Sequence, residues 1–122
     1  MGIKLNKRAY AHARHLIQYG RAVVDDRDDW SEHRPSAATE DTFIQDHGLA
    51  EYRKWYLGVD DEKGDHKGGY RFPYGDFVDI HRCGVISAES RAGQYKYFDI
   101  EVAAAHLHGM LDKPASPTGR RR

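Results

Sequence analysis

The sequence predicts a mainly helical α+β fold, a compact four-helix domain over residues 1–112 with room for a small β-hairpin near residues 54–74. Apolar residues recur at helical spacing in four segments that follow capping-type residues. The 122 residues suffice for one core but not for two. Residues 113–122 end in three arginines and are expected to form a disordered basic tail.

The first helix is expected over residues 7–19, where alanine, leucine and isoleucine form one apolar stripe. Asn6 precedes this stripe and is a suitable N-cap. Residues 25–35 then combine aspartates, Trp30 and a closing proline. This composition favours a loop that is anchored by the indole.

The second helix is expected to begin after Ser36, an N-cap candidate, and to end at Gly48. The next segment leaves two alternatives open, a short helix over residues 50–56 or a strand over residues 54–59. Such a strand is expected to pair with residues 70–74 across an acidic loop that contains glycine.

The third helix is expected over residues 77–92, opened by the turn and cap residues Gly75 and Asp76. The fourth helix is expected to begin after Asp99 as its N-cap, and it has the clearest apolar periodicity in the chain. Its small residues allow close approach of another helix. The last two helices are therefore expected to form a helical hairpin.

Composition excludes several broad classes of protein. The 19 acidic and 19 basic residues balance, which argues against a strong overall attraction to nucleic acid or to an anionic membrane. No apolar run approaches the roughly 20 residues that span a bilayer. The first residues lack the apolar segment of a secretory signal, so a cytoplasmic protein is expected. The one cysteine, Cys83, cannot form an intramolecular disulfide or a cysteine-rich zinc site.

Two motifs in the C-terminal part of the chain carry a resemblance to known proteins. They are Tyr-Arg-Phe-Pro-Tyr-Gly-Asp-Phe at 70–77 and Ser-Arg-Ala-Gly-Gln at 90–94. The chain resembles small proteins of bacterial and phage genomes that share this entry motif and this helix end. The resemblance covers about the C-terminal third and implies a phage or mobile-element origin. The group brings no activity with it, so the resemblance implies no catalytic residue.

The histidines do not form a recognised metal motif. His12 and His15 are three positions apart on the first predicted helix, but neither a His-Glu-x-x-His nor a Cys-x-x-Cys pattern is present. A site assembled from separate helices, such as His81 with His12 or His15 and Asp99, stays open. Scattered imidazoles are the favoured interpretation, so no metal ligand and no cofactor is expected.

Cys83 has His81 and Arg82 as neighbours, and cationic neighbours favour a reactive thiolate. A cysteine in the middle of a helix is, however, usually a small buried apolar residue. On that helix, His81 and Cys83 are two positions apart and are not expected to share a face. No catalytic residue is therefore assigned, and a non-enzymatic function is favoured while an enzyme stays an open alternative.

The favoured function is that of a non-catalytic accessory protein that acts through contacts with a protein partner or with a second copy of the chain. The alternatives are a nucleic-acid-binding accessory protein, because aromatic and basic residues alternate, and a metal-dependent or thiol enzyme that uses His81 and Cys83. No membrane partner is expected. The candidate binding residues are Trp55, Tyr70, Arg71, Tyr74, His81, Arg82 and Arg91.

Overall fold

The computed structural model describes residues 2–63 and 66–113. In chain order the elements are β1 (Ile3–Leu5), α1 (Lys7–Gln18), β2 (Ala22–Val23), α2 (Trp30–His33), α3 (Ala37–His47), α4 (Leu49–Tyr52), β3 (Tyr56–Asp60), β4 (Tyr70–Pro73), β5 (Ile80–His81), α5 (Arg82–Gln94) and α6 (Phe98–Asp112). The mainly helical α+β prediction is confirmed. None of the helices in these two ranges is long and apolar enough to cross a bilayer.

The prediction of four helices is wrong, since the described ranges contain six. Four of them correspond to the predicted ones. The other two, α2 and α4, are single turns of four residues, too short to show helical periodicity in the sequence. The predicted disordered tail lies, apart from Lys113, outside the described residues.

Helix α1 begins where its capping residue predicts. The side-chain oxygen of Asn6 accepts a hydrogen bond from the amide of Ala9 at 3.4 Å. The side-chain nitrogen of Asn6 donates to the carbonyls of Arg53 and Tyr56 at 2.9 and 3.0 Å. One side chain therefore both caps the helix and attaches it to the start of β3. The buried face of α1 contains Ala9 and Ala13, both fully inaccessible to solvent.

A three-stranded antiparallel sheet has the order β1-β3-β4. Strands β3 and β4 form the expected hairpin, with Tyr56 opposite Pro73 and Val59 opposite Tyr70. The proline lies on an edge strand, where a missing N–H is tolerated. Strand β1 was not predicted, because three residues are too few to show alternation. The open alternatives before β3 are both partly true, since α4 and a 3-10 turn, Arg53–Trp55, precede the strand.

The expected start of α5 is wrong by about one turn. Instead of beginning at 77, the helix begins at Arg82. The carboxylate of Asp76 accepts hydrogen bonds from the amides of Val78 and Asp79 at 2.9 and 2.7 Å, which closes a turn. The chain then continues as β5, which pairs in parallel with β2. Because of this pairing, His81 belongs to β5 and is not part of the helix.

Helices α5 and α6 pack against each other as the expected hairpin, through small side chains such as Ala88, Ala92 and Ala104. Asp99 is not the N-cap of α6 but lies in its first turn. Its carboxylate instead accepts a hydrogen bond from the amide of Leu5 at 2.8 Å, which connects the helix to β1. The hairpin therefore forms one side of the core.

Candidate metal centre

The pairing of β2 with β5 brings two distant segments together. In the parallel register, Val23 lies opposite His81. Asp25 follows β2 by two residues, and Cys83 is the second residue of α5. The single-turn helix α2 ends at His33, and it places this residue close to Asp25. Four residues of metal-binding type therefore meet beside the N-terminus of α5.

One carboxylate oxygen is the centre of this cluster. The Oδ2 atom of Asp25 lies 2.7 Å from Nδ1 of His33 and 2.7 Å from Nδ1 of His81. The Sγ atom of Cys83 lies 3.1 Å from the same oxygen and 3.6 Å from Nδ1 of His33. The four atoms all lie within 4.8 Å of one another. This spacing allows all four to contact one small cation.

The backbone fixes the carboxylate in place. Oδ1 of Asp25 accepts a hydrogen bond from the amide of Cys83 at 2.8 Å. The carbonyl of Asp25 also accepts one from the guanidinium of Arg82 at 3.1 Å. Asp25 therefore satisfies an amide in the first turn of α5, where a negative charge is favoured. Its other oxygen stays directed at the two imidazoles and the thiol.

A second carboxylate orients His81 from the opposite side. The Oδ2 atom of Asp76 lies 2.8 Å from Nε2 of His81. Because a carboxylate faces each ring nitrogen, this arrangement favours the imidazole form that carries a proton on both nitrogens. A carboxylate behind a histidine is the usual support of a metal-binding imidazole, since it fixes the ring and makes its other nitrogen a better ligand.

The cluster is largely buried but stays accessible to solvent on one side. Cys83 is fully inaccessible to solvent and His81 is 6% exposed, whereas the side chain of His33 is 34% exposed. The indole of Trp30 lies against His81, with ring centroids 6.2 Å apart. The same indole packs on Gly84, where a Cβ atom would lie 2.9 Å from Cζ3 of Trp30. Solvent and ions therefore reach the cluster from the His33 side.

The pKa values show how strongly these groups interact. Burial disfavours a charge on Asp25, but hydrogen bonds from His81, from the amide and thiol of Cys83 and from His33 outweigh it and lower the Asp25 pKa. Burial also opposes protonation of His81, yet its hydrogen bonds to Asp76 and Asp25 raise the His81 pKa. Burial and the adjacent Asp25 raise the pKa of Cys83 to about 12.

These values argue against Cys83 as a nucleophile. A reactive cysteine is a partly exposed thiolate with a lowered pKa, whereas Cys83 is inaccessible and its pKa is raised. A bound divalent cation reverses this situation, because coordination removes the thiol proton outright. The set of one thiolate, two imidazoles and one carboxylate is one that zinc accepts.

The structure separates the candidate residues that the sequence suggested. His81 lies in the cluster of Asp25, His33, His81 and Cys83. Arg82 lies at its margin and donates from Nε to Asp112 at 2.7 Å. Trp55 and Tyr74 are 5% and 0% exposed and belong to the core. Tyr70, Arg71 and Arg91 line a separate cleft.

The structure does not bring together the multi-helix set considered above, since His12, His15 and Asp99 are not in the cluster. Sequence reasoning missed Asp25 and His33. Their spacing of eight residues matches no local metal motif, and residues 25–35 were expected to form only a loop that is anchored by the indole. Comparisons of the chain with protein-family models, with curated proteins and with solved structures find no match.

Proposed function

We propose that this chain is a zinc-binding, non-catalytic domain, with Asp25, His33, His81 and Cys83 as the four zinc ligands. One observation carries the proposal: an oxygen, two nitrogens and a sulfur from two separate segments converge within 4.8 Å. Asp76 supports the ligand His81 from behind at 2.8 Å.

The distances suit zinc after a small adjustment. Zinc–ligand bonds of about 2.0–2.3 Å in a tetrahedron place the ligand atoms roughly 3.3–3.7 Å apart. The separation of 3.6 Å between Cys83 Sγ and His33 Nδ1 is already in this range. The separations of 2.7 Å from Asp25 to the two histidines have to open by roughly 0.6 Å.

A structural role follows from the number of ligands. Four protein ligands complete a tetrahedron, whereas catalytic zinc keeps one position for water or substrate. The metal would attach the segment from Asp25 to His33 to the N-terminus of α5. This supports the accessory or binding function expected from the sequence, because the zinc then shapes a surface and takes no part in a reaction. The partner of that surface is a protein or a second copy of the chain.

Metal content and cobalt spectroscopy test the proposal. The full chain is purified without chelator, and native mass spectrometry is expected to give a mass higher by one zinc ion. Replacement by Co²⁺ is expected to give the intense d–d absorption of a tetrahedral site together with a thiolate-to-cobalt charge-transfer band. Cys83→Ser is expected to remove the charge-transfer band.

A histidine outside the cluster provides the matched control. His15 is exposed on α1, so His15→Ala is expected to leave the cobalt spectrum unchanged, whereas His33→Ala is expected to alter it. A protein that binds neither zinc nor cobalt above background would show that the four residues form only a hydrogen-bonded polar cluster. A spectrum that His15→Ala removes and Cys83→Ser leaves intact would place the metal elsewhere.

A further inference from the structure

A cleft of about 500 Å³ lies next to the metal centre but contains none of its four ligands. Trp30 lines this cleft and also contacts His81. Strand β4, the last turns of α5 and the residue after α2 form other parts of the wall. The volume is that of a small-molecule site, which commonly measures about 300–1,000 Å³.

The cleft is cationic although the chain as a whole is neutral. Four basic side chains line it, Arg34, Lys67, Arg71 and Arg91, against one carboxylate, Glu40. That carboxylate already has partners, since it accepts a hydrogen bond from the hydroxyl of Tyr56 at 2.7 Å and lies 3.3 Å from Lys67. Among the residues that the structure describes, the three arginines are therefore the charges of the cleft that no carboxylate neutralises.

The guanidinium groups of these arginines are available to a ligand. Arg34, Arg71 and Arg91 are all exposed. Within residues 2–63 and 66–113, none of the three makes a side-chain hydrogen bond or an ion pair. Other arginines of the chain do, for example Arg21, whose Nε lies 2.9 Å from Oδ1 of Asp79. Arginines that line one cleft without a carboxylate partner are typical of sites for phosphate.

Aromatic rings lie among these charges. Tyr95 is 58% exposed, and its ring stacks on that of Tyr97 with centroids 5.9 Å apart and an interplanar angle of 27°. Tyr97 in turn packs edge-on against Phe72, at 6.0 Å. All three residues line the cleft. A supported ring with one open face is a suitable platform on which a planar base can stack.

We infer that this cleft binds a nucleoside phosphate unit. The base stacks on Tyr95, and the phosphate is bound by Arg71 and Arg91 with Arg34. Arginine binds phosphate oxygens through two parallel N–H donors, and base–tyrosine stacking adds affinity without sequence preference. The unit has two sources, a free nucleotide or one position of a single-stranded nucleic acid. The inference does not depend on the zinc proposal, since no zinc ligand lines the cleft.

Fluorescence anisotropy with labelled oligo-dT and oligo-U, and titration calorimetry with AMP and GMP, test this on the full chain. The double variant Arg71→Ala with Arg91→Ala is expected to weaken binding about tenfold for each lost arginine, because a hydrogen bond to a charged group contributes about 1.5 kcal/mol or more. Tyr95→Ala is expected to weaken it by about fivefold or more. Arg8→Ala removes an exposed charge from α1 and is the matched control, expected to change affinity by less than about twofold.

The C-terminal arginines at 120–122 are a second basic element, so a full-length variant with serine at these three positions is measured in parallel. Binding of AMP or GMP that depends on Arg71 and Arg91 supports a free nucleotide as the ligand. Binding of the oligonucleotides alone, with the same dependence, supports a single strand. The inference is overturned if no probe binds, or if binding is lost with the C-terminal arginines and unchanged in the Arg71/Arg91 variant.

Discussion

Cys83→Ser tests whether zinc stabilises this protein through the proposed ligand Cys83. In the metal-free state the Cys83 thiol donates to Oδ2 of Asp25 at 3.1 Å. A serine hydroxyl makes the same kind of hydrogen bond, so the substitution is expected to change the metal-free stability by only about 1 kcal/mol. In the proposed zinc-bound state the same substitution would remove the one thiolate ligand. Replacing this one sulfur atom is therefore expected to lower the stability of the zinc-bound protein much more than that of the metal-free protein.

The magnitude follows from binding linkage. With free zinc at about 1,000 times its dissociation constant, the folded protein gains about 4 kcal/mol. A chain of this length shifts its Tm by roughly 3–5 °C per kcal/mol, so zinc is expected to raise Tm by roughly 12–20 °C. Loss of even a supporting group beyond the ligands weakens metal sites about 10–100-fold. With a loss of about 100-fold for the missing ligand, the variant retains only about 1.4 kcal/mol of the zinc effect.

Thermal unfolding followed by circular dichroism measures both quantities, in buffer with excess EDTA and in buffer with buffered free zinc. The expected pattern is nearly equal Tm values for wild type and Cys83→Ser in EDTA and a large gap in zinc. The reasoning is refuted if zinc leaves the wild-type Tm unchanged. It is also refuted if the variant shows the full zinc-dependent increase, because then the thiolate is not a ligand.

Two further predictions concern the scaffold, both measured as free energies of unfolding in EDTA. Gly84→Ala is expected to lower the free energy of unfolding by about 1–3 kcal/mol, because a Cβ atom there would lie 2.9 Å from Trp30 Cζ3. Gly109→Ala is the control, because no atom lies within 4 Å of its added Cβ, and it is expected to stabilise α6 by up to about 1 kcal/mol. Equal effects at the two positions would contradict the packing argument. Burial first and the charge of Lys54 second lower the pKa of His12 below its unfolded value of 6.5, so the neutral ring is favoured in the fold and stability falls as pH drops below 6.5. His12→Leu is expected to remove this part of the pH dependence, and a stability difference between variant and wild type that stays constant from about pH 7 to pH 5 would contradict it.

Local signals predicted the parts of the fold that depend on local interactions. The side chains of Asn6 and Ser36 cap their helices by accepting hydrogen bonds from amides three residues later, so both caps can be predicted from the sequence. The hairpin of β3 and β4 was also predictable, since both strands lie close in sequence. The start of α5 was not, because it depends on a parallel pairing with β2 from the other half of the chain.

The convergence of Asp25, His33, His81 and Cys83 was missed for the same reason. On a helix, His81 and Cys83 would point to different sides, and this geometry was expected for them. Since β5 ends at His81 and α5 begins one residue later, both side chains instead turn toward Asp25. The convergence of these side chains thus depends on where α5 begins, next to Asp25, which is 58 residues away from Cys83 in the chain. No rule based on local residue spacing reaches over such a distance.

The separation of the ligands along the chain has a consequence for the unfolded state. Cys83 and His33 are 50 positions apart, so a metal that binds both closes a long loop. In the chain-entropy description, a covalent link across about 50 residues lowers the conformational entropy of the unfolded chain, which stabilises the fold by roughly 4 kcal/mol. With one cysteine, this sequence cannot form an intramolecular disulfide. A zinc ion would act as its cross-link, one that forms and dissociates with the supply of metal.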